Sequence, residues 1–131
     1  MENKYLARAK QLRNHPAIRY NCAQALLVTF ADACGISEEK AFQLGTHFGG
    51  GMKMAATCGA ITSGLMVIGM MGGGDSQRQA FVSAMRDGHG GLMDCADLLK
   101  KNKEMGGERK PHCDGMIYEA VSHIVRIMEL L

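Results

Sequence analysis

The residues of this chain best suited to chemistry are its five cysteines. They are spread along the chain, at Cys22, Cys34, Cys58, Cys95 and Cys113. A thiolate attacks disulfides and also binds zinc and iron, so thiol–disulfide exchange and metal binding are the chemistries to consider. No two of the five form a C-x-x-C pair, so the thioredoxin-type motif and the usual zinc-ribbon spacing are absent. Any shared site must therefore be assembled from distant segments.

Length and composition limit the other functional classes. The chain has 131 residues, 47% of them hydrophobic, and a formal net charge of +2. These values are typical of one globular domain, which we expect to span 1–131. The balanced charge and the 5% aromatic content give no reason to expect nucleic-acid binding.

Two segments bear on membrane and compartment. The N-terminal region has no apolar run, so we expect no signal peptide, a cytoplasmic protein and reduced cysteines. Positions 54–74 carry no charge, but six glycines interrupt them. We therefore expect a buried helix there, and no membrane span.

The elements that must position the cysteines are predicted to be helices. Alternating β-branched runs are absent and helical periodicity is widespread. We predict an all-α fold, an irregular helical bundle of about five to six helices that glycines interrupt. The six longer helical segments are predicted at about 3–14, 19–34 or 21–34, 37–48, 56–70 or 58–70, 75–85 and 114–131, and a short one is predicted at 94–99. The polar stretch at 100–112 is predicted to be a loop.

Their places in these helices divide the cysteines into two groups. Four are predicted to lie in the first turn of a helix or just before it, namely Cys22, Cys58, Cys95 and Cys113. A helix N-terminus stabilises a thiolate through its free N–H groups and its positive dipole end. Cys34 is predicted at a helix C-terminus, where a thiolate is disfavoured. This pattern predicts four functional sulfurs and one packing sulfur, although a cysteine on an apolar helix face often serves only as a small hydrophobe.

Four stretches of sequence together resemble a known family. They are NCAQALLVTF, FGGGMKMAATCGAITSGLMVIG, DCADLL and HCDGMIYEAVSHIV. From Asn21 to the C-terminus the chain is similar to the C_GCAxxG_C_C family, whose members are described as redox-active proteins with four hallmark cysteines. The resemblance implies that Cys22, Cys58, Cys95 and Cys113 are those four, and it assigns no counterpart to Cys34. The family motif C-G-A-x-x-G places a glycine where this chain has Ser63, which puts the local packing of the site in question.

The first functional hypothesis is thiol–disulfide exchange or electron transfer by a thiol–disulfide oxidoreductase. Cys58, which follows a glycine-rich segment and Lys53, is the expected attacking thiolate, and Cys22 its resolving partner. Cys95 and Cys113 are expected to form a second couple. The partner would be a redox protein or a small thiol.

Two alternatives remain open at this stage. Cys22, Cys58, Cys95 and Cys113 supply the ligand count of a zinc site or an iron–sulfur cluster, and His112 could replace one of them. The chain could instead be a non-catalytic helical module that binds a protein partner. The sequence leaves the cofactor unknown, with none required for thiol exchange, and it leaves homo-oligomer formation open.

Overall fold

The structure, a computed structural model, describes residues 3–131. Residues 1 and 2, which the predicted domain includes, lie outside this range. Within this range the chain forms seven α-helices and one π-type turn, and its β-structure is limited to one isolated β-bridge. The helices are α1 Lys4–Arg13, α2 Cys22–Thr29, α3 Glu38–Gly45, α4 Gly59–Met70, α5 Asp75–Asp87, α6 Cys95–Glu104 and α7 Arg109–Ile127, and the π-type turn is Gly51–Ala55. The all-α prediction is confirmed, whereas the predicted number of helices was too low.

Helix α2 lies inside the bundle. It packs against α1, α3, α4 and α7, and every residue from 23 to 29 is buried. Helix α4 packs against α2, α5 and α7, with Ile61 and Val67 fully enclosed. Gly64 allows this packing, because a β-carbon there would overlap the ring of Phe81 on α5. The bundle core therefore lies between α2, α4 and α7.

Local signals account for several helix boundaries. Asn3 and Ser37 accept hydrogen bonds from the backbone N–H groups of Leu6 and Lys40, and so cap α1 and α3. Gly35 adopts a left-handed φ of +74° at the end of the turns that follow α2. These caps confirm the predicted starts of α1 and α3.

Three predicted boundaries were wrong. Helix α2 ends at Thr29, well before Cys34, and turns follow it to Gly35. Helix α6 continues through Glu104, because its lysines and glutamate form a solvated helical face rather than a loop. Helix α7 starts at Arg109 instead of Asp114. Pro111 lies in its first turn, where a missing N–H breaks no helical hydrogen bond.

No helix within residues 3–131 is both long enough and apolar enough to cross a bilayer.

Candidate functional site

One cavity of about 160 Å³ is lined by four of the five cysteines. They reach it from α2, from the residue preceding α4, from α6 and from α7, and are Cys22, Cys58, Cys95 and Cys113. Two arginines and one histidine, Arg13, Arg109 and His112, complete its polar lining together with Asn21. The structure thus brings the four predicted site residues together, although 91 positions of sequence separate the first from the last.

A short backbone pairing fixes two of the cysteines relative to each other. The β-bridge joins Thr57 to Asp94, the residues just before Cys58 and Cys95. The Cys58 N–H donates to the carbonyl oxygen of Met93 at 2.9 Å, and the Cys95 N–H donates to that of Ala56 at 2.6 Å. The N-termini of α4 and α6 are therefore tied together by main-chain groups at the cavity wall.

Cys22 is positioned by the cap of its own helix. Asn21 accepts a hydrogen bond from the Gln24 N–H at 2.7 Å, and its own N–H donates to the Gln24 side chain at 3.0 Å. This reciprocal capping box fixes the first turn of α2. The Asn21 amide also donates to the carbonyl oxygen of Gly45 at 3.0 Å, so the same residue joins α2 to the end of α3. Cys22 follows directly as the first residue of α2.

The sulfur of Cys22 also depends on Gly59. A β-carbon at position 59 would overlap that sulfur and would lie 2.7 Å from the carbonyl oxygen of Phe48. The glycine that follows Cys58 is thus required by the approach of a second cysteine to the start of α4.

Ser63, which occupies the position of the motif glycine, is compatible with this packing. Its side chain is fully buried, and its hydroxyl donates to the carbonyl oxygen of Gly59 at 2.5 Å. The added hydroxyl is therefore satisfied within α4.

The helix positions predicted for the cysteines were correct for Cys22, Cys58 and Cys95 and wrong for Cys34, which lies in the turns after α2, and for Cys113. Cys22 and Cys95 are the first residues of α2 and α6, and Cys58 is the N-terminal cap residue of α4. Cys113 lies in the second turn of α7, because that helix begins at Arg109.

Cys34 lies apart from this site. It is absent from the cavity lining, and its thiol contacts the carbonyl oxygen of Val67 at 3.9 Å. Burial raises its pKa. These features agree with the packing role predicted for it.

Burial determines the protonation of Cys58. The residue is 8% exposed, and burial raises the pKa of its thiol to about 12. Hydrogen bonds from the backbone N–H groups of Ala60 and Ile61 lower the pKa, as expected at a helix N-terminus, but they do not outweigh burial. The expectation that the helix end makes Cys58 a thiolate at neutral pH was therefore wrong.

Cys95 and Cys113 have cationic neighbours that Cys58 lacks. Burial raises the pKa of both thiols, and the charge of Arg109 opposes that rise in each case. Arg109 also forms a hydrogen bond with Cys113 one helical turn later, and Arg13 lowers the pKa of Cys113 further.

The thiols that line the cavity also affect one another's ionisation. Negative charge on Cys22 raises the pKa of each of the other three thiols that line the cavity. Among the charged neighbours, Cys22 acts most strongly on Cys58, and Cys113 acts most strongly on Cys95. Cys22 therefore lies close enough to Cys58, Cys95 and Cys113 to affect the ionisation of each.

Arg13 connects the site to the rest of the bundle. Its Nε lies 2.6 Å from Asp114 of α7, and its Nη1 donates to the carbonyl oxygen of Tyr20 at 2.8 Å. Burial raises the pKa of Asp114, but hydrogen bonds from Lys110 and Arg13 outweigh it and hold the pKa below its usual value. This ion pair fastens α1 and the segment before Cys22 to α7.

His112 is the titratable base of the cavity lining. Burial, and to a smaller extent the charge of His89, lower the pKa of its imidazole. The ring is thus mostly neutral at pH 7 and able to accept a proton.

A wider groove of about 480 Å³ adjoins the cavity. Five residues line both spaces, namely Asn21, Gly50, Cys95, Leu99 and Arg109. Lys53 lines the groove but not the cavity. Cys95 is the cysteine that lines both the cavity and the groove. A ligand in the groove can therefore reach the sulfur cluster at Cys95.

The wall of the groove is formed by an unusual backbone segment, the left-handed loop 50–55. Gly50 and Gly51 have positive φ, and so do three residues with side chains, Met52, Lys53 and Ala55. A left-handed conformation costs roughly 1–2 kcal/mol for each residue that carries a β-carbon. The loop is thus held in place by its surroundings. Gly51 contributes to this, because a β-carbon there would overlap the backbone of Ala56.

Sequence reasoning missed two site residues, Arg13 and Arg109. Arg109 stands four positions before Cys113, a spacing that indicates contact once the start of α7 is known. Arg13 gave no comparable signal, because its partner Asp114 lies 101 positions away.

The positions of the candidate ligands bear on the metal-binding alternative. Within residues 3–131, no three side chains of His, Cys, Asp or Glu are arranged to hold a metal ion. The four thiols, with His112 as a substitute, therefore do not fit a site for a single zinc ion as they are placed.

Comparison with known proteins identifies a family for this chain. The family model described as "Putative redox-active protein (C_GCAxxG_C_C)" matches residues 20–127. Neither a curated protein nor a solved structure matches the chain.

Proposed function

Because the chain belongs to the C_GCAxxG_C_C family of redox-active proteins, we propose that it carries out thiol–disulfide exchange with the four cysteines of its cavity. The observation that carries this proposal is the convergence of Cys22, Cys58, Cys95 and Cys113 on one cavity of about 160 Å³. The four thiols provide two dithiol couples and so can hold two electron pairs.

Accessibility favours Cys95 as the first sulfur to react, in place of the sequence expectation of Cys58. Cys95 lines the groove as well as the cavity, and the positive charge of Arg109 favours its thiolate. Cys58 is 8% exposed and has a pKa raised to about 12 by burial, so it is poorly suited to attack an incoming disulfide. Its burial suits a sulfur that reacts last, within the protein, with another cysteine of the cavity.

The proposed exchange conserves electrons and protons. The Cys95 thiolate attacks one sulfur of a substrate disulfide, a mixed disulfide forms, and the first substrate thiolate leaves and takes up a proton. Cys113 then attacks the Cys95 sulfur, forming a Cys95–Cys113 disulfide and releasing the second substrate thiol. The substrate disulfide is reduced to two thiols, and two protein thiols are oxidised to one disulfide.

The second couple, Cys22 and Cys58, is proposed to exchange with the first. Cys22 is coupled to Cys95 and Cys113 as well as to Cys58. Attack by Cys22 on the outer disulfide, followed by attack of Cys58 on Cys22, would move the disulfide inward and regenerate the outer thiols. His112 is proposed to accept a thiol proton, since its imidazole lines the cavity and its lowered pKa keeps the ring unprotonated.

We place this activity in a reducing cytoplasm, where the resting protein would carry free thiols. The redox partner would then be a cellular thiol or a dithiol protein that returns electrons to the oxidised site.

The test is disulfide mapping in a Cys34→Ser background, which removes the sulfur outside the site. The reduced protein is mixed with 2-hydroxyethyl disulfide, and free thiols and disulfide linkages are followed by quenched alkylation and mass spectrometry. We expect four thiols to be lost in two pairs, with Cys95–Cys113 first and Cys22–Cys58 second. Adding Cys95→Ser should slow the first exchange more than tenfold, while adding Cys58→Ser should leave it nearly unchanged.

Two results would overturn this proposal. One is a reduced protein whose cavity thiols form no mixed or internal disulfide under these conditions. The other is near-stoichiometric iron, sulfide or zinc in protein purified without oxygen, which would instead favour the metal-binding alternative.

A further inference from the structure

The groove beside the cysteine cavity is lined by cations and contains no acid. Its lining includes Lys53 and Arg109, and the lining of the adjoining cavity adds Arg13 and His112. Neither lining includes an aspartate or glutamate among residues 3–131. A space with this lining attracts anions, and it does so most strongly where water is partly excluded.

The two groove cations differ from Arg13 in their partners. Arg13 is already paired with Asp114 at 2.6 Å. Arg109 instead forms a hydrogen bond with the Cys113 sulfur, and one of its guanidinium nitrogens lies 4.0 Å from the position that a β-carbon would take at Gly50. Lys53 is an exposed residue of the left-handed loop. Within residues 3–131, no ion pair to a carboxylate joins either Lys53 or Arg109.

The size of the groove indicates the size of the ligand. Its volume of about 480 Å³ falls in the range of small-molecule sites, and the cavity of about 160 Å³ behind it leaves room for little more than the reacting sulfurs. Cys95 lies at the junction of the two spaces. A small disulfide in the groove could place one sulfur next to Cys95 and its two ends next to Lys53 and Arg109.

We infer that the substrate of this site is a small aliphatic disulfide whose ends carry carboxylates, held at the groove by Lys53 and Arg109 while Cys95 attacks its sulfur. This inference rests on the proposed thiol–disulfide exchange and names the chemical class of its substrate. Arg109 then has two roles, because it binds the substrate anion and also stabilises the thiolates of the outer couple. Lys53 acts on the substrate alone.

The test compares three disulfides of similar size and different charge. They are 3,3′-dithiodipropionate with carboxylate ends, 2-hydroxyethyl disulfide with neutral ends, and cystamine with ammonium ends. We expect the dianion to oxidise the reduced protein about tenfold faster than the neutral compound, and cystamine to be the slowest. Raising the ionic strength from about 0.01 M to about 0.15 M should reduce that preference, because the Debye length falls from about 30 Å to about 8 Å.

Variants separate substrate binding from thiolate stabilisation. Lys53→Gln should reduce the dianion rate severalfold more than the neutral rate, and so lower the ratio of the two. Arg109→Gln should reduce both the ratio and the neutral rate. Lys103→Gln, on an exposed residue of α6 outside both linings, makes the same change in net charge and should leave the ratio unchanged. Far-ultraviolet circular dichroism verifies that each variant is folded.

The outcomes distinguish this inference from the proposed function. Exchange with all three disulfides at equal rates, or fastest with cystamine, would retain the thiol chemistry and overturn the anionic substrate. A charge preference that Lys103→Gln reduces as much as Lys53→Gln would also overturn it, since the preference would then reflect net charge. Failure of all three to react would contradict the proposed exchange itself.

Discussion

The sulfur of Cys22 lies against the α-carbon of Gly59, in the space that a β-carbon at position 59 would occupy. The contact joins the first turn of α2 to the first turn of α4 and brings Cys22 beside Cys58. The glycine is therefore part of the cysteine site, although it carries no reactive group.

Substituting this glycine should disturb both stability and thiol chemistry. We expect Gly59→Ala to destabilise the protein by about 1–3 kcal/mol, because the new methyl group overlaps the Cys22 sulfur and the carbonyl oxygen of Phe48. The displaced sulfur should also slow internal disulfide formation. Urea unfolding and quenched alkylation measure the two effects.

Gly69→Ala is the matched control in the same helix. No atom lies within 4 Å of the β-carbon position at Gly69, so alanine should stabilise α4 by roughly 0.5–1 kcal/mol. Equal effects of the two substitutions would contradict the close approach of Cys22.

The buried thiol of Cys58 predicts a loss of stability in alkaline solution. Its pKa is raised by burial from 9.0 to about 12, so the folded protein keeps a proton that the unfolded chain releases. The stabilisation is fully present below about pH 9 and is lost as the pH rises toward 12. Under reducing conditions, the free energy of unfolding should fall more steeply above about pH 9 in the wild type than in Cys58→Ser. Identical slopes for the two proteins would show that the thiol is not buried in this way.

The ion pair between Arg13 and Asp114 should contribute more than a surface pair. Their side chains are only 13% and 16% exposed, and Arg13 also bonds the backbone of Tyr20. We expect Arg13→Gln to lower the free energy of unfolding by about 1–3 kcal/mol, because the partly buried Asp114 carboxylate is then left with Lys110 alone.

An exposed ion pair provides the control for this substitution. Arg78→Gln removes a contact of 2.7 Å to Asp75, whose side chain is 81% exposed, and should change the free energy of unfolding far less than Arg13→Gln does. Comparable losses in urea unfolding for the two variants would mean that Arg13 does not tie α1 to α7.

Replacing a residue of the left-handed loop by glycine should stabilise the protein. Ala55 is exposed and has a φ of +57°, so Ala55→Gly relieves strain at the cost of a more flexible unfolded chain. We expect a net gain of up to about 1 kcal/mol, measured by thermal and urea unfolding. Ala96→Gly, at an exposed position in α6, should instead destabilise the protein by about 1 kcal/mol. A loss at both positions would argue against the left-handed backbone.

The sequence was informative where structure depends on near neighbours. Caps such as Asn3 and Ser37 act over three residues, so the starts of α1 and α3 were predictable. Cys58 and Cys95 were correctly placed at helix starts for the same reason. The start of α7 was not, because a polar segment containing Pro111 is compatible with either a loop or a helical first turn.

The electrostatics of the site depend on contacts that the sequence does not reveal. Helix ends predicted thiolates, and the amide bonds that Ala60 and Ile61 make with Cys58 show that this effect is present. Burial outweighs it, because enclosing a charge in a bundle core costs more than one helix terminus returns. The burial of Cys58 depends on how α2, α4 and α7 pack together, and local sequence does not specify that packing.

The β-bridge between Thr57 and Asp94 has a consequence for how this protein can vary. It uses only main-chain atoms, so the spacing of the Cys58 and Cys95 backbones does not depend on which side chains occupy positions 56, 57, 93 and 94. Related proteins could therefore carry different side chains around the sulfurs, and so bind different substrates, while the two cysteine backbones keep the same spacing.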